Sequence, residues 1–461
     1  MVQFFPTIPN FLDAASPLLA EVNTISNSEA EPFVLIAVLL SLVIIFFASK
    51  IGGELCAKVN LPPVLGELIG GVVVGVSILR LIAFPEEGSL GEESLIMGFL
   101  EQTAGMPSGA IPFVFESQGQ IISTLSELGV ILLLFEIGLE SDLKELIRVG
   151  PQAAIVAVIG VVVPFAAGTL GLMTLFHVPT IAAIFAGAAL TATSIGITAK
   201  VLSEIQQLTS KEGQIIIGAA VLDDVLGIVV LAVVASLAKT GEVKITSIVW
   251  LIVGAIVFLL GAILIGRWLS PYFVALVNNL TTRGQLLLMA LIFAFVLSYI
   301  AAAIHLEAIL GAFAAGLILG ETDKRPELEE QVVPLADFFV PIFFVVVGAR
   351  TDLSVLNPFV PSNREGLIIA TFLVIVAIVG KMVTGLTLSG KENINRLAVG
   401  IGMIPRGEVG LVFAGVGAAT GVLTDSLDAA IIVMVIFTTF IAPPFLRLAF
   451  QQKQETIEQK S

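Results

Sequence analysis

One cysteine, Cys56, stands in a chain of 461 residues. A lone thiol permits neither an intrachain disulfide nor a cysteine metal cluster. Histidine is almost as scarce: His177 and His305 lie far apart and read as loop or helix-end residues rather than metal ligands. Charge is thin, at 13% of residues, where a soluble domain carries about 25%. The charge that is present leans acidic, with a formal net charge of −15 and a pI near 4.6, which excludes a nucleic-acid binder on electrostatic grounds. Residues 1–31 hold no Lys or Arg, so they lack the basic start of a secretory signal. They read as a short polar or interfacial segment outside the cytoplasm.

What the chain has in abundance is apolar sequence, 57% hydrophobic with a mean hydropathy of +1.05. That describes a polytopic membrane protein. Hydropathic segments fall at 33–49, 62–84, 119–139, 150–173, 180–199, 213–237, 247–267, 284–304, 306–320, 334–349, 365–388, 395–420 and 427–450, so the expected fold is all-α with about 13 transmembrane helices. The ninth and tenth are short, and the boundary between the eighth and ninth, at His305, shows the least contrast.

Orientation follows from the basic residues. With the N-terminus outside, 15 Lys and Arg fall on inner connections and the tail, and only Lys239, Lys244, Arg350 and Arg364 on outer ones. Arg80, Lys381 and Arg406 fall within helices. The positive-inside rule thus places the N-terminus outside and residues 451–461 as a cytoplasmic tail. The longest outer connection, Pro85 to Gln118, is acidic and reads as a solvated loop.

Two stretches recur. Val64–Gly75 resembles Ile309–Gly320, aligning Gly66, Gly71 and Gly75 with Gly311, Gly316 and Gly320; Ile137–Leu143 resembles Val347–Leu353, aligning Gly138 and Asp142 with Gly348 and Asp352. The offset is seven helices, an odd number, so the second copy crosses the membrane inverted. Inverted repeats of about five helices, here about 62–237 and 306–450 within a membrane domain spanning 32–450, are a transporter architecture with its site at the midplane between the copies. Broken helices at matching positions point to that site. The fifth segment carries Thr191, Thr193 and Ser194 in LTATSIGIT; the twelfth carries Pro405 in GMIPRGEVG, and proline removes a backbone donor and kinks a helix.

The sixth segment, Gly213–Leu237, places Asp223 and Asp224 side by side at mid-membrane. Inserting such a pair costs roughly 5–7 kcal/mol, so it marks a functional site. Adjacent helical residues point about 100° apart, so the two carboxylates cannot serve one role equally. Lys381 lies near the middle of the eleventh segment, where it either snorkels or pairs with one of the aspartates. Arg406 calls for a buried ion-pair partner; with Glu408, Glu67, Glu136 and Asp337 it forms a second tier. A carboxylate that holds either a hard cation or a proton couples the two by competition.

Together PVLGELIGG, TATSIGIT, LDD, FFVVVGARTDL, GKMVTG and GMIPRGEVG resemble the cation:proton antiporter-2 family across Pro32 to about Phe450, and most of all its NapA-like sodium/proton antiporters, those of cyanobacterial thylakoids included. The resemblance implies a homodimer with a dimerisation domain and a six-helix core, about 119–237 and 334–450 except dimerisation elements, that moves like an elevator. It implies that Asp224 ligates Na⁺, that Asp223 pairs with Lys381, that Thr191–Thr193 lines the crossover, and that two protons exchange for one Na⁺. No cofactor is implied beyond the transported Na⁺ and H⁺, and the implied membrane is thylakoid or plasma membrane. Alternatives are a K⁺/H⁺ antiporter, a cation channel and an intramembrane aspartic protease. The protease reading suffers because its dyad needs carboxyls that face each other. No G-x-G-x-x-G with a βαβ pattern is present to suggest a nucleotide-binding regulatory domain.

Overall fold

The computed structural model describes residues 27–84, 91, 94–240, 245–359, 361–388 and 394–458, and these contain helices and turns but no strand. The spans are α1 (Asn27–Lys58), α2 (Pro63–Val74), α4 (Ile111–Glu140), α6 (Gly150–Leu175), α9 (Lys211–Thr240), α10 (Ile245–Asn279), α11 (Gln285–Ala303), α12 (Ala308–Gly320), α13 (Arg325–Ala349), α14 (Pro361–Leu386) and α17 (Asp425–Glu458). Two more spans are split, one into α7 (Thr180–Ala189) and α8 (Ile195–Glu204), the other into α15 (Arg396–Gly402) and α16 (Glu408–Ala419). Short α3 (Leu95–Thr103) and α5 (Leu143–Arg148) complete the order. Every expected segment therefore has a helix or a split pair, and both expected breaks are present.

Several boundaries differ from the hydropathy reading. The second segment ends as a helix at Val74, ten residues early; the chain then turns back through Arg80, whose φ of 47° lies in the left-handed region, so Arg80 is not within a helix. The expected loop 85–118 contains α3, because Ile96, Met97 and Leu100 bury themselves beside α1. Glu86, Glu87, Glu92 and Glu93 of that stretch lie outside the described residues, as do residues 1–26 and Lys391. The weak boundary at His305 is a true reversal, with φ of 67°, and His177 closes α6 in the same way at 54°.

The helices sort into two groups. One packs α1, α2, α4, α11, α12 and α13 together; the other packs α6, α7, α8, α9, α14, α15, α16 and α17, with α10 running between them against α9, α11 and α12. Both α4 and α13 pack within the first group. The matched glycines explain why. A Cβ on Gly71 would sit 2.9 Å from the Gly348 Cα, and one on Gly316 would sit 2.8 Å from the Gly138 Cα. So α2 crosses α13 through the same glycine pair that brings α12 against α4. Gly66 meets Gly52 of α1 as Gly311 meets Leu297 and Ser298 of α11, which extends the correspondence one span upstream of 62 and 306. The matched aspartates also act alike: Asp142 caps α5 by accepting from the Lys144 and Glu145 amides, and Asp352 accepts from the Ser354 amide at the turn Leu353–Leu356.

Backbones this close leave no room for a side chain, and overpacking costs about 1–3 kcal/mol. Gly316→Ala should lower the thermal midpoint in detergent. Gly98→Ala, whose Cβ meets nothing within 4 Å, should leave it unchanged. Equal midpoints would refute the crossing.

Candidate functional site

The two breaks meet. Residues 190–194 part α7 from α8, and residues 403–407 part α15 from α16. The Ser194 amide donates to the Pro405 carbonyl at 2.8 Å, the Thr193 hydroxyl to the Met403 carbonyl at 3.2 Å, and the Thr198 hydroxyl to the Gly402 carbonyl at 2.9 Å. Backbone groups freed by unwinding one helix are thus satisfied by the other, as buried polar groups must be. The Thr191 hydroxyl donates to the Ala188 carbonyl and so finishes α7.

Each break exposes helix ends of both signs. The Arg406 guanidinium, fully buried, donates to the carbonyls of Met403 and Ile404 at 3.3 and 3.4 Å and to that of Leu190, so one cation serves the C-terminal ends of α7 and α15. The Thr439 hydroxyl of α17 donates to the Arg406 carbonyl. The ion pair expected of Arg406 is replaced, among the described residues, by these carbonyls. Sequence patterns did not show this, because unwound carbonyls belong to no residue type.

The aspartates part company. Asp223 points to α14, where the Lys381 ammonium lies 3.1 Å from its Oδ2, with both side chains at 0% exposure. Lys381 therefore does not snorkel. Gly160 of α6 leaves it room, since a Cβ there would sit 3.1 Å from the Lys381 Nζ. Asp224, 3% exposed, lines a small cleft with Thr193, Ser194, Ile195, Gly407 and Val409. It thus shares that cleft with the first residues of α8 and α16, whose N-terminal ends favour negative charge. Glu307, just before α12, lines the cleft too and formed no part of the sequence reading. Its signal was present: it is the only acid between Gly284 and Gly320.

The second-tier residues lie elsewhere. Glu67 of α2 accepts from the Ser49 hydroxyl of α1 at 3.0 Å, away from the crossover. Glu136 lies half-buried on α4, and Asp337 is exposed on α13. The side chain of Glu408 falls outside the described residues. Where α8 ends, the Glu204 carboxylate accepts from the Val64 amide at 3.1 Å and the Ser203 hydroxyl donates to Glu140 at 3.2 Å, joining the two helix groups.

An inverted repeat whose two broken helices cross beside a buried carboxylate defines a secondary transporter. The chain belongs to the sodium/hydrogen exchanger family: the family described as "Sodium/hydrogen exchanger, transmembrane" matches residues 36–452. It is 67% identical to the high-affinity Na⁺/H⁺ antiporter NhaS3 of Synechocystis over 446 residues, 96% of this chain and 97% of that one. It is 31% identical to the Na⁺/H⁺-K⁺ antiporter GerN of Bacillus cereus over 428 residues, 90% of this chain and 97% of that one. A solved structure of the sodium proton antiporter MjNhaP1 from Methanocaldococcus jannaschii shares the fold, with a TM-score of 0.57 at 17% identity over 92% of this chain and 99% of that one.

Proposed function

We propose that this chain exchanges Na⁺ for H⁺ by alternating access, with Asp224 as the carboxylate that holds either ion. The observation that carries this is the unequal setting of the two aspartates. Asp223 is matched by the Lys381 ammonium, while Asp224 lies in a cleft beside hydroxyls and two helix N-termini. Na⁺ is a hard cation and takes oxygen ligands; Asp224, Ser194 and the threonines of the break supply them. A proton on Asp224 removes the charge that attracts the cation, so the two ions compete, and competition at one site alternately open to each side is exchange.

The group containing α6 to α9 and α14 to α17 is the moving core, and the group containing α1, α2, α4 and α11 to α13 is the dimerisation domain of a homodimer. The packing of the helices and the family resemblance support that division. The same resemblance supports two protons per Na⁺, an extracytoplasmic N-terminus, and residence in a thylakoid or plasma membrane. The name of the Bacillus relative includes K⁺, so K⁺ exchange is the second reading. Solid-supported-membrane electrophysiology separates the two. Na⁺ and Li⁺ jumps should give currents that saturate and depend on pH, with none for K⁺. Equal K⁺ currents would favour the second reading, and a non-saturating conductance would overturn exchange.

A further inference from the structure

We propose that Glu204 is a latch favouring the conformation closed on the side where α8 ends and α2 begins, so that the two states of the cycle are unequal. The inference rests on the reading that the group holding α8 moves against the group holding α2 and α4. It goes beyond that reading by naming the residue that ties the groups in one state only.

The start of α2 needs a partner from outside the helix. Its N-cap is Pro62 and its first residue Pro63, so neither a capping side chain nor a backbone donor is available there. The Leu65 amide donates to the Pro62 carbonyl. That leaves the amide of Val64, a residue at 0% exposure, as the first donor of α2, and a first-turn amide has no acceptor within its own helix. Both oxygens of the Glu204 carboxylate accept from it, at 3.1 and 3.4 Å. The negative charge also suits the positive end of the α2 dipole. One residue earlier, the Ser203 hydroxyl donates to the Glu140 carboxylate of α4. Two consecutive residues of α8 thus hold two helices of the other group.

The two partners fare differently when α8 departs. Glu204 also borders a polar recess of about 250 Å³, lined by Gln206, Gln207, Arg447 and Gln451. These residues follow α8 or lie on α17, so the recess travels with the carboxylate. The Val64 amide is left behind, and a buried donor without an acceptor bears its full desolvation penalty. Separation is therefore opposed chiefly from the α2 side.

The repeat supplies the contrast. Its two copies present matching positions to opposite sides of the membrane, so a tie present in both would favour neither state. Ser203 and Glu204 are the ninth and tenth residues of α8. The ninth and tenth residues of its counterpart α16 are Val416 and Gly417, whose side chains neither donate nor accept. The bias is one-sided.

The test measures half-saturating Na⁺ from each side, in right-side-out and everted membrane vesicles. Loss of a hydrogen bond to a charged group shifts a two-state balance by about tenfold or more, and apparent affinity falls with the fraction competent to bind. Glu204→Ala should raise half-saturating Na⁺ about fivefold from the side carrying the N-terminus and lower it from the other. Glu204→Gln keeps an acceptor without the charge and should move both values the same way by less. A merely structural role would lower rate or thermal midpoint without driving the two sides apart. Equal shifts, reversed shifts or none would overturn the latch. In parallel, Ser203→Cys with Glu140→Cys in a Cys56→Ser chain is crosslinked by a short cleavable bis-methanethiosulfonate. Exchange should stop and return on reduction. Exchange persisting in the crosslinked chain would sink the moving-core reading itself, whereas unshifted affinities beside a blocked crosslink would sink only the role of Glu204.

Discussion

Asp224→Asn should reduce sodium-driven proton flux in proteoliposomes by about a hundredfold or more, the effect expected when a desolvated charged partner worth about 3 kcal/mol is removed. The substitution keeps the size of the side chain and most of its hydrogen-bonding capacity. It removes the charge that attracts a cation and the oxygen that takes a proton, so both halves of the exchange fail together. Asp224 lines the cleft at the N-terminal ends of α8 and α16 and is not the aspartate bonded to Lys381, so the fold should survive the change. The thermal midpoint should stay near that of the unaltered chain. Flux persisting at the original rate would refute Asp224 as the ion carboxylate.

Lys381→Met should be the most destabilising single change in the core. It leaves Asp223 charged, at 0% exposure, with its Oδ1 already lacking a hydrogen bond among the described residues. Breaking a buried pair by removing one partner costs about 3–5 kcal/mol, whereas replacing both partners by neutral groups is often close to neutral. The double variant Asp223→Asn with Lys381→Met should therefore recover most of the loss. A double-mutant cycle on thermal midpoints in detergent measures the coupling. Additive losses would show that the pair contributes nothing, and that Lys381 is held instead by its fit against Gly160.

The crossing glycines show how far a pattern of small residues reaches. Gly71, Gly138, Gly316 and Gly348 could be matched in the sequence because a site of backbone contact admits no other residue. For the same reason their spacing survives in both copies of the repeat. The extra pair of spans, α1 with α11, carries too little matching sequence to be seen, although Gly52 and Ser298 occupy equivalent contacts. Arg406 shows the opposite limit. Its type demanded a buried partner, and the partners turned out to be carbonyls from two unwound segments 216 residues apart in the case of Leu190. Glu307 was passed over because a single carboxylate at a helix start is ordinary until the neighbouring helices are placed around it.

Local composition was enough to establish a membrane protein of about 13 spans, the two helix breaks and the pair of aspartates, since each rests on the cost of charge or broken backbone in hydrocarbon. The inverted order of the repeats followed from counting spans. The residue pattern left open which aspartate faces Lys381, and only the family resemblance named Asp223; tertiary structure alone decided that Arg406 serves the ends of α7 and α15 and that Glu307 joins Asp224 in one cleft. The direction of a side chain depends on the rotation of its helix against its neighbours. That rotation is set by packing between segments far apart in the chain, and no window of sequence contains it.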